Sequence, residues 1–366
     1  MGREARRSYD LNQVEIVPSR RTRSSQEVST AWQLDAYRFD IPLLTHPTDA
    51  VVSPASAITV GRLGGLAVLN AEGLWSRHAD AEGALAQVVD AAESDDPAAA
   101  VRILQELHAA PIQPALLAEA LRTVREAGVT VAARVSPQRA RELTPDLLDA
   151  GVEILVVQGT IISAEHVSDG EPLNLKDFIA GLDVPVVAGG VGDHRTAMHL
   201  MRTGAAGVIV GYGESSATTT DEVLGIGVPM ATAIVDAAAA RRDYLDETGG
   251  RYVHVIADGG MTHSGDMAKA IACGADAVML GEQLADAADS PGQGLYWTSS
   301  VAHPSLPRSE VTGYGPGDRD LETVLYGPSS SPYGTVNLFG ALRRAMAKTG
   351  YSDLKEFQRV GLTVRG

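Results

Sequence analysis

A single cysteine, Cys273, occurs in the 366 residues. One thiol builds neither a disulfide framework nor a cysteine-based zinc site. No run of about 18 apolar residues appears, so no spanning helix is expected. The basic start, "MGREARRSYDL", has no apolar stretch of the kind a signal peptide carries. A cytoplasmic protein is the expectation. Basic residues are in deficit, 30 Lys and Arg against 46 Asp and Glu, for a net charge of −16. A chain this acidic is a poor partner for nucleic acid or an anionic membrane. It still allows one local anion site, because backbone N–H groups can hold a phosphate. The nine histidines show no metal-ligand spacing, and no metal is expected. Aromatics are scarce at 5%, whereas glycine reaches 38 and apolar residues 45%. That mixture suits an α/β protein with many tight turns and closely packed helices.

What is present is a rhythm. Eight short apolar runs recur at 41–47, 65–70, 129–135, 152–159, 184–190, 206–213, 252–260 and 276–281. Each is rich in Val, Ile and Leu without alternation, as strands buried on both faces are. Amphipathic stretches such as "PALLAEALRTVREAG" and "GDMAKAIACG" lie between them, and several close on glycine. Eight strand–helix units predict a (β/α)8 TIM barrel in one domain over 1–366. An open doubly wound sheet would place its glycine-rich loop after an early strand. Here such loops follow the fifth to eighth strands. Residues 1–40 read as an arm packed outside the barrel or on a neighbouring subunit. The Pro-, Ser- and Gly-rich stretch 285–334 reads as an insertion after the eighth strand, and 335–366 as a closing helix and tail. Long loops of this kind are commonly functional lids or mobile segments.

Barrel strands deliver their C-terminal ends to one face. "AGG" (188–190), "GYGESS" (211–216), "ADGG" (257–260) and "LGE" (280–282) therefore converge. Glycine at one strand end signifies only a turn. The coincidence of four suits a phosphate, and Asp258 beside them suits the vicinal hydroxyls of a ribose. A nucleoside monophosphate has both features. Ser264 and Asp266 are available to cap the following helix, which leaves Asp258 free for a ligand. Cys273, mid-helix on an Ala-rich face, reads as core.

At this point the chain resembles the IMP dehydrogenase/GMP reductase family, and more narrowly its short bacterial IMP dehydrogenase-related members without CBS domains. "YDLNQVEIVPSRRTRSS", "HPTDAVVSPASAITVGRLGGLAVLN", "VIADGGMTHSGDMAKAIACGADAVMLG" and "GALRRAMAKTGYSDLKEF" carry the resemblance over nearly the whole chain. It implies a TIM barrel, a homotetramer, a purine nucleoside monophosphate as substrate and NAD or NADP as cofactor. Family members form a thioimidate on a loop cysteine, whose thiolate is accessible near neutrality. The family loop reads Gly-x-Gly-Pro-Gly-Ser-x-Cys-Thr-Thr. Laid on this chain, it puts Ser216 at the phosphate-binding serine, Thr218 at the cysteine and Thr220 at the hydroxyl that activates water or ammonia. Substrate-binding positions Asp258, Gly259, Gly260 and Gly281 are kept. Gln158, Gly159, Gly189 and Gly190 fall on the cofactor side, with Gln158 in place of an aspartate.

The departures cluster. Glu282 replaces a phosphate-binding serine, and Thr48 replaces a methionine that lies under the base. Glu214 and Ser215 replace Pro and Gly in the loop, where some members hold a monovalent cation on carbonyls. No Arg-Tyr flap is recognisable in 285–334. A threonine hydroxyl is far less acidic than a thiol and has no base beside it in sequence. Three functions stay open: a purine-nucleotide oxidoreductase, a nucleotide-binding or regulatory relative without the chemistry, and a different reaction on the same barrel with Glu282 as a base.

Overall fold

A computed structural model describes residues 5–166, 173–313 and 315–365. The first four residues of the arm lie outside them. The eight apolar runs form eight strands: β1 Leu43–Thr45, β2 Val68–Asn70, β3 Ala132–Val135, β4 Ile154–Gln158, β5 Val186–Val191, β6 Gly207–Glu214, β7 His254–Gly259 and β8 Ala277–Leu280. All neighbours in the sheet are parallel, in the order β1-β8-β7-β6-β5-β4-β3-β2. The ring closes between β1 and β2 through a parallel bridge from Leu44 to Leu66. The Thr45 hydroxyl takes over one rung there, accepting from the Val68 N–H at 2.9 Å. Continuous burial explains the unalternating sequence: β1, β2, β3, β4, β5 and β8 are buried at every residue. The TIM barrel expected from the sequence is the fold.

Helix starts follow local chemistry. Ser53 and Ser56 cap each other reciprocally ahead of Pro54–Arg62, with Pro54 in the first turn where its missing N–H costs nothing. Before helix Ser264–Cys273, the cap is His263, whose side chain makes no capping bond and instead lies 3.1 Å from Asp266, and Asp266 accepts from the Thr262 N–H at 3.0 Å. Cys273 is buried, and burial pushes its thiol up to about 12, as its place in the core predicts.

The arm stays with its own barrel. Val14–Ile16 pairs antiparallel with Leu362–Val364, and the Tyr9 N–H donates to the Thr232 hydroxyl at 2.7 Å. The hairpin Trp32–Leu34/Tyr37–Phe39 brings Trp32 edge-on to His254, at the start of β7. The insertion folds back over the opposite, C-terminal mouth. Within it Leu295–Tyr296 pairs with Thr312–Gly313, Trp297 is buried, and helix Leu321–Tyr326 follows. Thr48 donates to the Trp297 carbonyl at 2.5 Å, so this position anchors the insertion.

At the N-terminal end of the barrel, buried Asp276 is the counter-ion of a polar knot. It accepts from Arg241 (2.7 Å), the Tyr252 hydroxyl (2.8 Å), the Val255 N–H (2.8 Å) and Lys355. Arg241 and Lys355 hold its carboxyl far below the usual carboxylate range against the opposing effect of burial. Removing the carboxylate strands a buried guanidinium. Asp276→Ala is expected to lower the unfolding free energy by about 3–5 kcal/mol. Truncating the more exposed Lys355 should cost less. Urea unfolding of the two variants checks the order.

Candidate functional site

β6 carries its strand to Glu214, and the loop after it runs to the short helix Thr220–Leu224. The insertion clamps this loop. Thr218 bridges Ser309 antiparallel, the Glu310 N–H donates to the Ala217 carbonyl (2.8 Å), and the Thr219 N–H to the Arg308 carbonyl (3.0 Å). The Thr218 hydroxyl donates to the Gly213 carbonyl at 2.6 Å and lies 3.0 Å from the Ser215 hydroxyl. The Thr218 hydroxyl is thus engaged with a carbonyl, and no base is among these partners.

Two carboxylates of the chain occupy the glycine-lined cradle. The Ser216 N–H donates to Glu282 Oε2 at 3.1 Å. Glu282 therefore turns toward the loop. The Ser216 hydroxyl lies 3.0 Å from the Thr312 hydroxyl. Glu214 folds back so that Oε2 accepts from the Tyr212 N–H at 3.1 Å. A Cβ at Gly259 would meet Glu214 Oε2 at 2.3 Å, and one at Gly281 would meet the Tyr296 hydroxyl at 2.5 Å. Those glycines make room for the chain's own side chains. Only about 10 Å³ of cavity remains between Gly213, Glu214, Asp258, Gly259, Glu282 and Tyr296. Burial, reinforced by Asp258 and Glu282, raises the Tyr296 hydroxyl well above its ordinary value, so it stays protonated.

Asp258 is the hub beside this plug. It is 3% exposed. Its Oδ1 lies 3.1 Å from His46 Nδ1, and its Oδ2 accepts from Gln158 Nε2 at 2.8 Å. Gln158 Oε1 is buried without a partner among the described residues. The expected ribose ligand thus has both oxygens engaged within the protein.

On the far side of His46 a cavity of about 690 Å³ opens toward β2, β3 and β4. Gln158, Gly159 and Thr220 border it, together with four arginines, Arg77, Arg134, Arg139 and Arg308. Glu72 is the one carboxylate among its described lining residues. Gly189 and Gly190 do not line it. A Cβ at Gly190 would meet the Gly211 carbonyl at 2.0 Å, so this glycine serves the contact of β5 with β6. Thr220 is buried at the cavity wall.

Sequence reasoning gave no role to His46 or Arg134. Both could have been noticed by position. His46 ends the apolar run of β1, and Arg134 interrupts an otherwise apolar β3 near its C-terminal end. Arg134 donates from Nε and Nη2 to the Gln158 carbonyl at 3.1 and 2.7 Å, fixing the end of β4.

Glu214 is largely buried, and that burial, with some repulsion from Asp258, pushes it up to about 7. Its folded-state pKa lies above the unfolded value. The associated stability is therefore fully present below about pH 4.5 and is lost as pH rises through 7. Glu214→Gln should remove this loss and gain on the order of 2 kcal/mol at pH 8 relative to pH 5. Urea unfolding of parent and variant at the two pH values measures it.

The comparisons agree with this architecture. Residues 8–303 match the family model described as the IMP dehydrogenase / GMP reductase domain. An uncharacterized oxidoreductase of Mycolicibacterium smegmatis is 68% identical over 368 residues, spanning 100% of this chain and 98% of that protein. The inosine-5'-monophosphate dehydrogenase of Aquifex aeolicus is 33% identical over 234 residues, 60% of this chain and 46% of its own length. Among solved structures, the IMP dehydrogenase/GMP reductase-like protein of Corynebacterium glutamicum superposes with a TM-score of 0.95 at 57% identity, covering 100% of this chain and 96% of that one. On these grounds the chain belongs to the IMP dehydrogenase/GMP reductase family.

Proposed function

We propose that this chain is an oxidoreductase-family protein that has left the family's covalent chemistry: no thioimidate forms at Thr218, and its ligands bind outside the cradle between Gly213 and Ser216. The Ser216 N–H donating to Glu282 carries the reading. A backbone donor that would cradle a phosphate already has a carboxylate acceptor from the chain, in a solvent-exposed pair that contributes about 0–1 kcal/mol. A phosphate dianion there would also face Glu282, Asp258 and Glu214. Each like-charge pair at 4 Å costs about 1–4 kcal/mol between the water and protein-surface limits. The backbone donors alone do not offset that sum.

A nicotinamide dinucleotide, the cofactor that the family and its oxidoreductase members imply, fits the open cavity by size and by sign. Ligand pockets span about 300–1,000 Å³, and this one is lined by four arginines against one carboxylate. Gln158, Gly159 and the arginines would hold it, and it would supply or take a hydride when bound. Gly189 and Gly190 have no part in this reading. One observation favours a second reading, a purine-nucleotide oxidoreductase. Glu214 takes up a proton near neutrality, which lifts one of the three charges from the cradle.

Calorimetric titration with IMP, GMP and XMP, nucleosides as controls, separates the two. We expect no saturable heat from the parent protein, no turnover of IMP with NAD or of GMP with NADPH, and no effect of Thr218→Ala. The double variant Glu214→Gln/Glu282→Ser should open the loop and gain monophosphate binding. Tight binding of a monophosphate by the parent, lost in Asp258→Ala and accompanied by turnover, would overturn the proposal.

A further inference from the structure

We propose that His46, held by Asp258, is the proton acceptor for a hydroxyl-bearing substrate in the open cavity, an alcohol oxidised there to a carbonyl compound. The assignment rests on the reading that a nicotinamide dinucleotide occupies this cavity. It gives the proton-transfer role to the residue that follows β1 and not to the β6 loop.

The two nitrogens of this imidazole are placed differently. Nδ1 lies 3.1 Å from Asp258 Oδ1. A carboxylate only accepts, so Nδ1 carries the proton and the lone pair is left on Nε2. Nε2 has no hydrogen-bond partner among the described residues, yet it is not sealed in the interior as Gln158 Oε1 is. The ring borders the open cavity, and that is the space the lone pair meets. Two glycines seat the ring: a Cβ at Gly213 would lie 3.1 Å from its Cε1, and one at Gly281 would lie 2.9 Å from its Cβ. A pair that only fastened the end of β1 to β7 would have no use for an open Nε2.

The other histidines and the carboxylate that line the cavity are engaged. His108 donates from Nδ1 to the Leu104 carbonyl at 2.8 Å and turns Nε2 toward Asp49, 3.5 Å away. His303 accepts at Nδ1 from the N–H groups of Ser305 and Leu306, at 3.3 and 2.8 Å, which leaves its proton on Nε2. Glu72 lies 3.6 Å from Arg134 and accepts from the Ser136 N–H. Oxidising an alcohol releases one hydride and one proton. The substrate O–H bond breaks and an N–H bond forms at Nε2. The oxygen's electron pair becomes the second bond of the carbonyl as the C–H hydrogen leaves with its own pair to the nicotinamide. Asp258 is the positioning residue: it keeps Nδ1 protonated and stabilises the imidazolium that results. A placed base of this kind contributes about 10²–10⁴-fold in rate. The open mouth then lets Nε2 return its proton to water.

NAD is first titrated calorimetrically into the parent protein. Ring-nitrogen NMR spectra of the parent at pH 8 then read the tautomer. The His46 signals are assigned by their loss in His46→Gln, which keeps an N–H donor for Asp258, or in His46→Asn if the first variant does not fold. Trifluoroethanol, an alcohol that resists oxidation, is the probe added to the NAD complex. We expect the proton on Nδ1 and an Nε2 resonance that moves when trifluoroethanol is added. Trifluoroethanol should bind about 3–10-fold more weakly to the variant, as the loss of one hydrogen bond predicts. Arg202→Gln, a surface arginine paired with Glu247, should leave that affinity unchanged. An absence of NAD binding overturns the cofactor reading and this assignment with it. Bound NAD with the proton on Nε2, with an Nε2 resonance that trifluoroethanol leaves in place, or with equal affinity in the variant overturns the role of His46 alone.

Discussion

A backbone N–H takes an acceptor within its reach, and at this barrel's mouth the chain's own carboxylates are within reach. Parallel strands end together, so β6, β7 and β8 present glycine-flanked turns to one small volume. The insertion then covers part of the volume, burying Tyr296 and leaving Ser216 exposed. The donors of the β6 loop take an acceptor from water, from a ligand or from the chain. Here the chain supplies it, through Glu282 to Ser216 and Glu214 to Tyr212. Glu214 sits where Gly259 leaves space, and Tyr296 where Gly281 does. A protein built this way is preorganised around its own carboxylates.

The same logic divides the mouth into two regions of opposite sign. Asp258 marks the boundary, bonded to His46 on one side and Gln158 on the other. Behind it lie the acids of the closed cradle. In front lie the arginines of the open cavity. Neither region is explained by overall charge, which is strongly negative. Local placement decides the electrostatics, because interactions inside a partly desolvated cavity are screened far less than those across the surface.

The barrel was legible because its physics is periodic. Strands buried on both faces must be continuously apolar, and every one of the eight runs became a strand. The loops were legible only as positions. Sequence marked Glu282 and Glu214 as departures, but a rotamer and a partner decide whether a carboxylate fills a cradle or leaves it, and neither is written in spacing. Gly189 and Gly190 look like ligand-facing glycines and instead admit a neighbouring strand. Thr48, marked in sequence only as a departure from a methionine, ties down the insertion. His46 and Arg134 passed without a role because single polar residues at strand ends carry no spacing signature.

The pairing of Val14–Ile16 with Leu362–Val364 has a consequence for how the molecule is made. Glu15 and Arg365 meet across this pair, 350 positions apart. At roughly 5–20 residues per second, the first strand leaves the ribosome tens of seconds before its partner exists. Through that interval the arm meets only its earlier-made partners, Thr232 and helix Ser264–Cys273. Contacts of such long range are also the slowest to form once the chain is complete. The pairing of the two ends therefore closes after the arm's other contacts have their partners, and it fastens a segment already seated on the barrel's helices.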